Sequence, residues 1–140
     1  MTPTRTQHTT RQRSQRGQAM VELAVVLPVL VLILFATFEF GRAYWQYQQL
    51  SAAASEGARK AIVSRTSGTR DSDIRDRILQ NTQNFKEADL GIAIDGGQWK
   101  PGEPVKVTVT YPLEIKVPGM TALIPAGTKL TAKQSMRIER

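Results

Sequence analysis

Hydrophobic and polar positions divide this chain into three stretches with three different periods. Residues 23–38 hold no charge and one weakly polar residue, Thr37. Taken from Gln18, the apolar run of residues 18–38 would extend about 31 Å as a helix, matching a hydrocarbon core of about 30 Å. A membrane-spanning helix is predicted there, kinked or loosened at Pro28, which neighbouring groups in a membrane can accommodate. After it, Phe40, Ala43, Tyr44, Tyr47, Leu50, Ala54, Ala58, Ala61 and Ile62 recur at three- and four-residue steps. Arg42, Gln46, Gln48, Gln49, Ser55, Arg59 and Lys60 lie between them. The helix is therefore expected to continue, amphipathic, to about Val63, roughly 70 Å in all. Tyr44, Trp45 and Tyr47 stand where an interfacial aromatic belt would be. Beyond Leu50 the stripe is largely alanine, which permits close approach of another element, here expected to be the chain's own domain.

Residues 64–70 break the pattern and read as a loop. Asp71, Ser72 and Asp73 then offer N-caps and dipole-matching charge for a short helix with Ile74, Ile78, Leu79 and Phe85 on its apolar face. Past Leu90 the period becomes two. Residues 91–94 read as a short strand before an Asp95-Gly96-Gly97 turn. Val105, Val107, Val109 and Tyr111 alternate with Lys106, Thr108 and Thr110, and Leu113, Ile115 and Val117 carry the alternation past Pro112. Pro118-Gly119 and Pro125-Ala126-Gly127 punctuate a longer connection. Leu130, Ala132, Gln134, Met136 and Ile138 form the last alternating set. The expected class is α+β: a long helix, a short one, and a small antiparallel meander whose apolar face the long helix covers.

Charge places the ends. Four arginines of the net +7 (Arg5, Arg11, Arg13 and Arg16) crowd into residues 1–17 with no acid beside them. That asymmetry beside an apolar run fits the positive-inside rule, with residues 1–17 a disordered leader kept in the cytoplasm. No aromatics interleave with these arginines, so nucleic-acid binding is not expected. The expected divisions are a leader (1–17), a membrane helix (18–40), its amphipathic extension (41–64) and an extracytoplasmic α/β domain (65–140). A cleaved secretory signal fits poorly, because the apolar run ends in Phe38-Glu39-Phe40-Gly41-Arg42 and not in small residues. The Ala52-Ala53-Ala54 tract lies well beyond it.

Catalytic chemistry is absent from the pattern. The chain has no cysteine, and its one histidine, His8, lies in the polar leader. No Gly-rich phosphate loop, Ser/His/Asp set or metal-ligand spacing occurs, and Asp71, Asp73 and Asp76 read as helix acids and not as a calcium loop. No enzyme, cofactor, metal or small-molecule substrate is expected. What stands out is Glu22, a carboxylate at the edge of the apolar run. A charge costs about 2.5–3.5 kcal/mol at the centre of a membrane helix and less towards its ends. A cut between Gly17 and Gln18 would create an ammonium one turn from Glu22, and a neighbouring copy's ammonium would neutralise the carboxylate and set the axial register of packed helices. A snorkelling acid at the membrane edge is the simpler account.

The basic leader, Gly17 and Glu22 resemble the processing site of type IV prepilins. Ala24-Val25-Val26-Leu27-Pro28, Phe38-Glu39-Phe40-Gly41-Arg42-Ala43 and Ala53-Ala54-Ser55-Glu56-Gly57-Ala58-Arg59 are similar to the TadE-like family, minor pseudopilins of tight-adherence (Flp, type IVb) pilus systems. Residues 130–137 resemble that family's terminal strand. The resemblance implies a pilin-like fold and a bacterial inner-membrane precursor with a cytoplasmic N-terminus and an outer C-terminal domain. It implies a prepilin peptidase that cuts after Gly17, leaving 123 residues from Gln18. Other pilins or pseudopilins and the inner-membrane pilus platform are the implied partners. Leu23 departs from the aromatic that often follows the glutamate. Pro28, Glu39, Gly41, Arg42, Glu56, Gly57 and Arg59 are the helix positions that carry the likeness. The alternative from another class is an uncleaved signal-anchored protein with an exported binding domain.

Overall fold

The computed structural model describes residues 9–64, 69–117, 124–125 and 127–138. In chain order the elements are α1 (Thr9–Val63), α2 (Arg70–Gln80), a 3-10 turn (Glu87–Asp89), β1 (Gly91–Asp95), β2 (Pro104–Pro112) and β3 (Lys129–Arg137). The class is α+β, as the change of period predicts. The chain forms two compact units, Met1–Phe38 and Glu39–Arg140.

In the first unit, the described residues all belong to α1. The helix begins at Thr9, inside the stretch expected to be a disordered leader. Arginine and glutamine are good helix formers, and extending a helix is far easier than nucleating one. The rest of the leader, residues 1–8, lies outside the described residues. Helical assignment continues through Pro28, whose missing N–H leaves the Ala24 carbonyl without its usual partner. Thr37 turns its hydroxyl onto the Ile33 carbonyl at 2.9 Å, so the lone hydroxyl of the apolar run is satisfied within the helix. The large apolar side chains from Met20 to Phe38 are exposed, Phe38 at 69%. A continuous apolar surface of this kind marks a membrane or a partner. Among the described residues, one helix is long and apolar enough to cross a membrane, and this is it.

The second unit is organised by β2. It pairs antiparallel with β1 on one side and β3 on the other. Val107 stands opposite Ile94 and Gln134, and Val109 opposite Ile92 and Ala132, so these side chains share one face. Val105, Val107 and Val109 are fully buried there, whereas Lys106, Thr108 and Thr110 point the other way. The cover comes from Leu50, Ala53, Ala54, Ala58 and Ala61 of α1, joined by Ile74 and Ile78 of α2 in the same apolar cluster. Gln134 on the inner face reaches Ser51 of α1 at 3.4 Å. The alanine stripe thus packs on its own domain.

Several elements differ from expectation, each for a local reason. The sheet ladder stops at Pro112 and does not take in Leu113, Ile115 and Val117. Proline offers no N–H to extend a ladder, and the backbone that follows finds other partners: Leu113 N–H donates to the Thr128 carbonyl at 2.8 Å. Phe40, Tyr44 and Tyr47, assigned to the buried stripe, are exposed at 64%, 64% and 40%. In this stretch of α1 the sheltered positions are Glu39, Arg42, Ala43, Gln46 and Gln49. At Glu39 and Arg42 the helix runs beside non-ladder backbone, whose polar groups require polar partners. Thr69, not one of residues 71–73, is the N-cap of α2, and Asp71 and Asp73 fall in its first turn. Phe85 lies beyond the end of α2 yet is buried, edge-on to Tyr111 with ring centroids 4.8 Å apart. Most of the 64–70 loop (residues 65–68), the Pro118-Gly119 turn and Ala126 lie outside the described residues.

Gly57 is a tight point of the core, where α1 meets α2. A Cβ there would stand 2.7 Å from Ile78 Cγ1 and 2.8 Å from Cδ1, whereas at Gly41 it would meet nothing within 4 Å. Overpacking costs about 1–3 kcal/mol, and glycine-to-alanine in a helix returns about 1 kcal/mol. We therefore expect Gly57→Ala to lower the stability of the purified full chain by up to about 2 kcal/mol, while Gly41→Ala raises it by about 1 kcal/mol. Thermal unfolding followed by circular dichroism measures both. Adding Ile78→Val should recover part of the Gly57→Ala loss, and a strictly additive double mutant would contradict the contact.

Candidate functional site

Three groups of the singled-out residues are placed by the structure. The first is the junction at Gly17, Gln18 and Glu22, all exposed on α1. Gly17 has open space where a Cβ would stand. One helical turn links Gln18 to Glu22, and the Gln18 side-chain amide donates to Glu22 Oε1 at 3.1 Å. An amino terminus created at Gln18 would lie about 6 Å along the axis from Glu22. The Glu22 carboxylate thus has one side-chain donor within its own helix.

The second group is a clasp at the start of the second unit. Glu39 is only 7% exposed. Its Oε1 accepts from an Arg42 guanidinium nitrogen at 2.6 Å, one helical turn away, and from the Lys116 backbone N–H at 3.0 Å. Arg42 also donates to the Glu114 carbonyl. Two charged side chains of α1 thereby satisfy a donor and an acceptor of the strand-like segment that leaves β2. Charge-assisted bonds of this kind are stronger than neutral ones, and each ion offsets the desolvation of the other. Sequence placed Glu39 and Arg42 among the positions of interest but gave no sign of Glu114 and Lys116, because the groups involved are backbone atoms 72 and 77 residues away.

The third group joins the two helices. Glu56 of α1 pairs with Arg77 of α2 at 3.1 Å, next to Gly57 under Ile78. Arg77 carried no signal in the sequence beyond its place in a helical turn. Arg59, with Lys60, Asp73 and Asp76, lines an open cavity of about 580 Å³ between these helices. Its mixed charges give it no single sign. Gly41 is exposed with open surroundings, and Pro28 lies within the exposed apolar run. The singled-out residues thus do not converge on one pocket. Among the described residues no group of three or more His, Cys, Asp or Glu is placed to hold a metal ion.

Comparison with known proteins adds a family. Residues 17–59 match the family model described as TadE-like protein. The match starts at the glycine of the junction and ends at Arg59, so it spans all three groups on α1. It bears out the resemblance read from the helix motifs, and the likeness expected at residues 130–137 lies outside it. No curated protein and no solved structure matches the chain.

The clasp generates a measurable expectation. Arg42→Met leaves the Glu39 carboxylate sheltered without its cation. Arg42 is about a quarter exposed, so solvent softens the loss to about 1–3 kcal/mol of stability. Amide hydrogen exchange at Lys116 should accelerate by at least tenfold in Glu39→Ala, while amides in the centre of β2 change little. Unchanged exchange at Lys116 would show that the carboxylate does not hold that segment.

Proposed function

We propose, from a chain that is TadE-like over residues 17–59, that the protein is a minor pseudopilin of a tight-adherence (Flp, type IVb) pilus system. It enters the bacterial inner membrane through the apolar half of α1, with the leader in the cytoplasm and the second unit outside. A prepilin peptidase cuts between Gly17 and Gln18. The mature helix then packs with other pilins or pseudopilins, or at the platform from which the pilus grows. The observation that carries this reading is the family match beginning at Gly17, at the head of an uncovered apolar helix.

Electrostatics gives Glu22 its part in this reading. A carboxylate beside lipid is costly, and the ammonium released at Gln18 of a neighbouring helix supplies the counter-charge. Pairing is satisfied at one axial offset between helices and lost at others, so the pair sets register. Leu23 to Phe38 have no charge to compete for it. The role is assembly: the chemistry at Gly17 is done to the protein and not by it.

N-terminal sequencing and intact mass of the membrane-purified protein test the cut. In cells with an active prepilin peptidase the chain should begin at Gln18, and a chain still starting near Met1 would instead favour an uncleaved signal anchor. Gly17→Ala should slow processing well beyond Gln18→Ala. Glu22→Gln should leave insertion and processing intact but reduce pilus assembly severalfold, scored by pilus counts and surface adherence. Normal piliation in Glu22→Gln cells would refute the register role.

A further inference from the structure

The sheet of the second unit has two edges, and the fold treats them differently. Ile138 N–H donates to the Glu103 carbonyl and Leu113 N–H to the Thr128 carbonyl, one bond at each end of the β2–β3 register. Ladder bonds alternate along an antiparallel pair, so the even-numbered residues of β3 are the ones bonded to β2. Lys129, Thr131, Lys133, Ser135 and Arg137 therefore turn their N–H and C=O groups to the open side, and all are exposed. By the same alternation Ile92 and Ile94 are the edge-directed residues of β1. That edge is short and partly closed, because Arg75 of α2 donates to the Ile92 carbonyl at 3.3 Å. Among the described residues nothing caps the outer edge of β3 in this way.

We infer that the open edge of β3 takes up an extended, acidic segment of a partner protein as a fourth strand. The inference does not depend on the cut at Gly17. Backbone supplies the first argument, since a row of unpaired N–H and C=O groups is what strand addition uses. Charge supplies the second. Lys129, Lys133 and Arg137 are the charged residues of β3, which has no acid, and Lys106 of β2 stands on the same face opposite Ser135. Two copies of β3 paired about Lys133 would set that lysine against its counterpart and Lys129 against Arg137. Like charges directly opposite destabilise a strand pair, whereas opposite charges support it. The cations thus turn away a second copy and admit carboxylates. The inner face supplies the third. Val105, Val107 and Val109 of β2 are fully buried, but Leu130, Met136 and Ile138 around β3 are only partly so. A strand beside β3 would cover them with its own inward side chains. The guest is therefore specified on both faces: apolar inward, and acidic outward at four-residue intervals, about 14 Å, to meet Lys129, Lys133 and Arg137.

Titration of the full chain in non-ionic detergent with the peptide Glu-Val-Thr-Val-Glu-Val-Thr-Val-Glu tests this, with amide exchange followed by NMR. At saturation, exchange at Thr131, Lys133 and Ser135 should slow by about tenfold, while Ile92 and Ile94 stay unchanged. The same peptide with lysine for glutamate should not bind. Nor should the acidic peptide N-methylated at its threonine and central glutamate amides, which keeps the charge and loses the donors that face β3. Equal binding of the methylated peptide would reduce the contact to charge alone and overturn strand addition. Protection at Ile92 and Ile94 in place of the β3 amides would overturn the choice of edge, and no binding at all overturns the inference outright. Slow exchange at Thr131, Lys133 and Ser135 without peptide would mean that the edge is already filled, by a second copy if it grows with protein concentration. Either form of that result overturns the inference as well. Lys133→Glu should weaken the acidic peptide by about tenfold. Thr131→Pro removes an edge-directed N–H and no ladder bond, so it should weaken binding similarly while exchange at Val107 shows the fold retained. Undiminished binding in either folded variant would refute the assignment.

Discussion

A three-stranded sheet with one apolar face cannot stand in water uncovered, and here its cover is a helix made of small residues. That constraint organises the second unit. Val105, Val107 and Val109 offer a smooth inner surface, and Ala53, Ala54, Gly57, Ala58 and Ala61 let the α1 backbone come close to it. Large side chains on that stripe would have pushed the helix away and left voids that a sheet of this size has no spare contacts to offset. Ile78 of α2 fills the space above Gly57, so the two helices and the sheet meet at one point. The Glu56–Arg77 pair beside it is half in solvent and contributes orientation more than stability.

Where the sheet ends, the rule changes. Past Pro112 the chain no longer satisfies its own backbone through a ladder, and α1 meets it with charge in place of alanine. Glu39 and Arg42 do for the backbone at Lys116 and Glu114 what a neighbouring strand does for β2. At Glu39 and Arg42 this explains why polar residues take the sheltered side of the helix. It also leaves Phe40, Tyr44 and Tyr47 exposed just after the apolar run.

The two units divide the work of the TadE-like segment. Upstream of Glu39 the described part of the helix buries none of its large apolar side chains within the chain, and Glu22 is its single carboxylate. Downstream, the same helix is a structural wall. Motif residues such as Gly57 and Glu39 are therefore explained by packing and backbone satisfaction, while Gly17, Gln18 and Glu22 are exposed on α1, with one side-chain hydrogen bond between Gln18 and Glu22.

Periodicity alone determined a great deal: the length of the apolar run, the onset of the amphipathic half, the alternation of β2 and β3, and the α+β class. These are local properties, written in spacings of two, three and four residues. The positions of interest on α1 were legible as residue types, because a lone acid or glycine in an apolar helix is conspicuous. What tertiary structure decided is which face of α1 turns inward between residues 39 and 49, where β2 stops, and what Glu39 and Arg42 hold. Such contacts depend on which backbone groups a sheet leaves unpaired at its end, and no spacing along the chain records that.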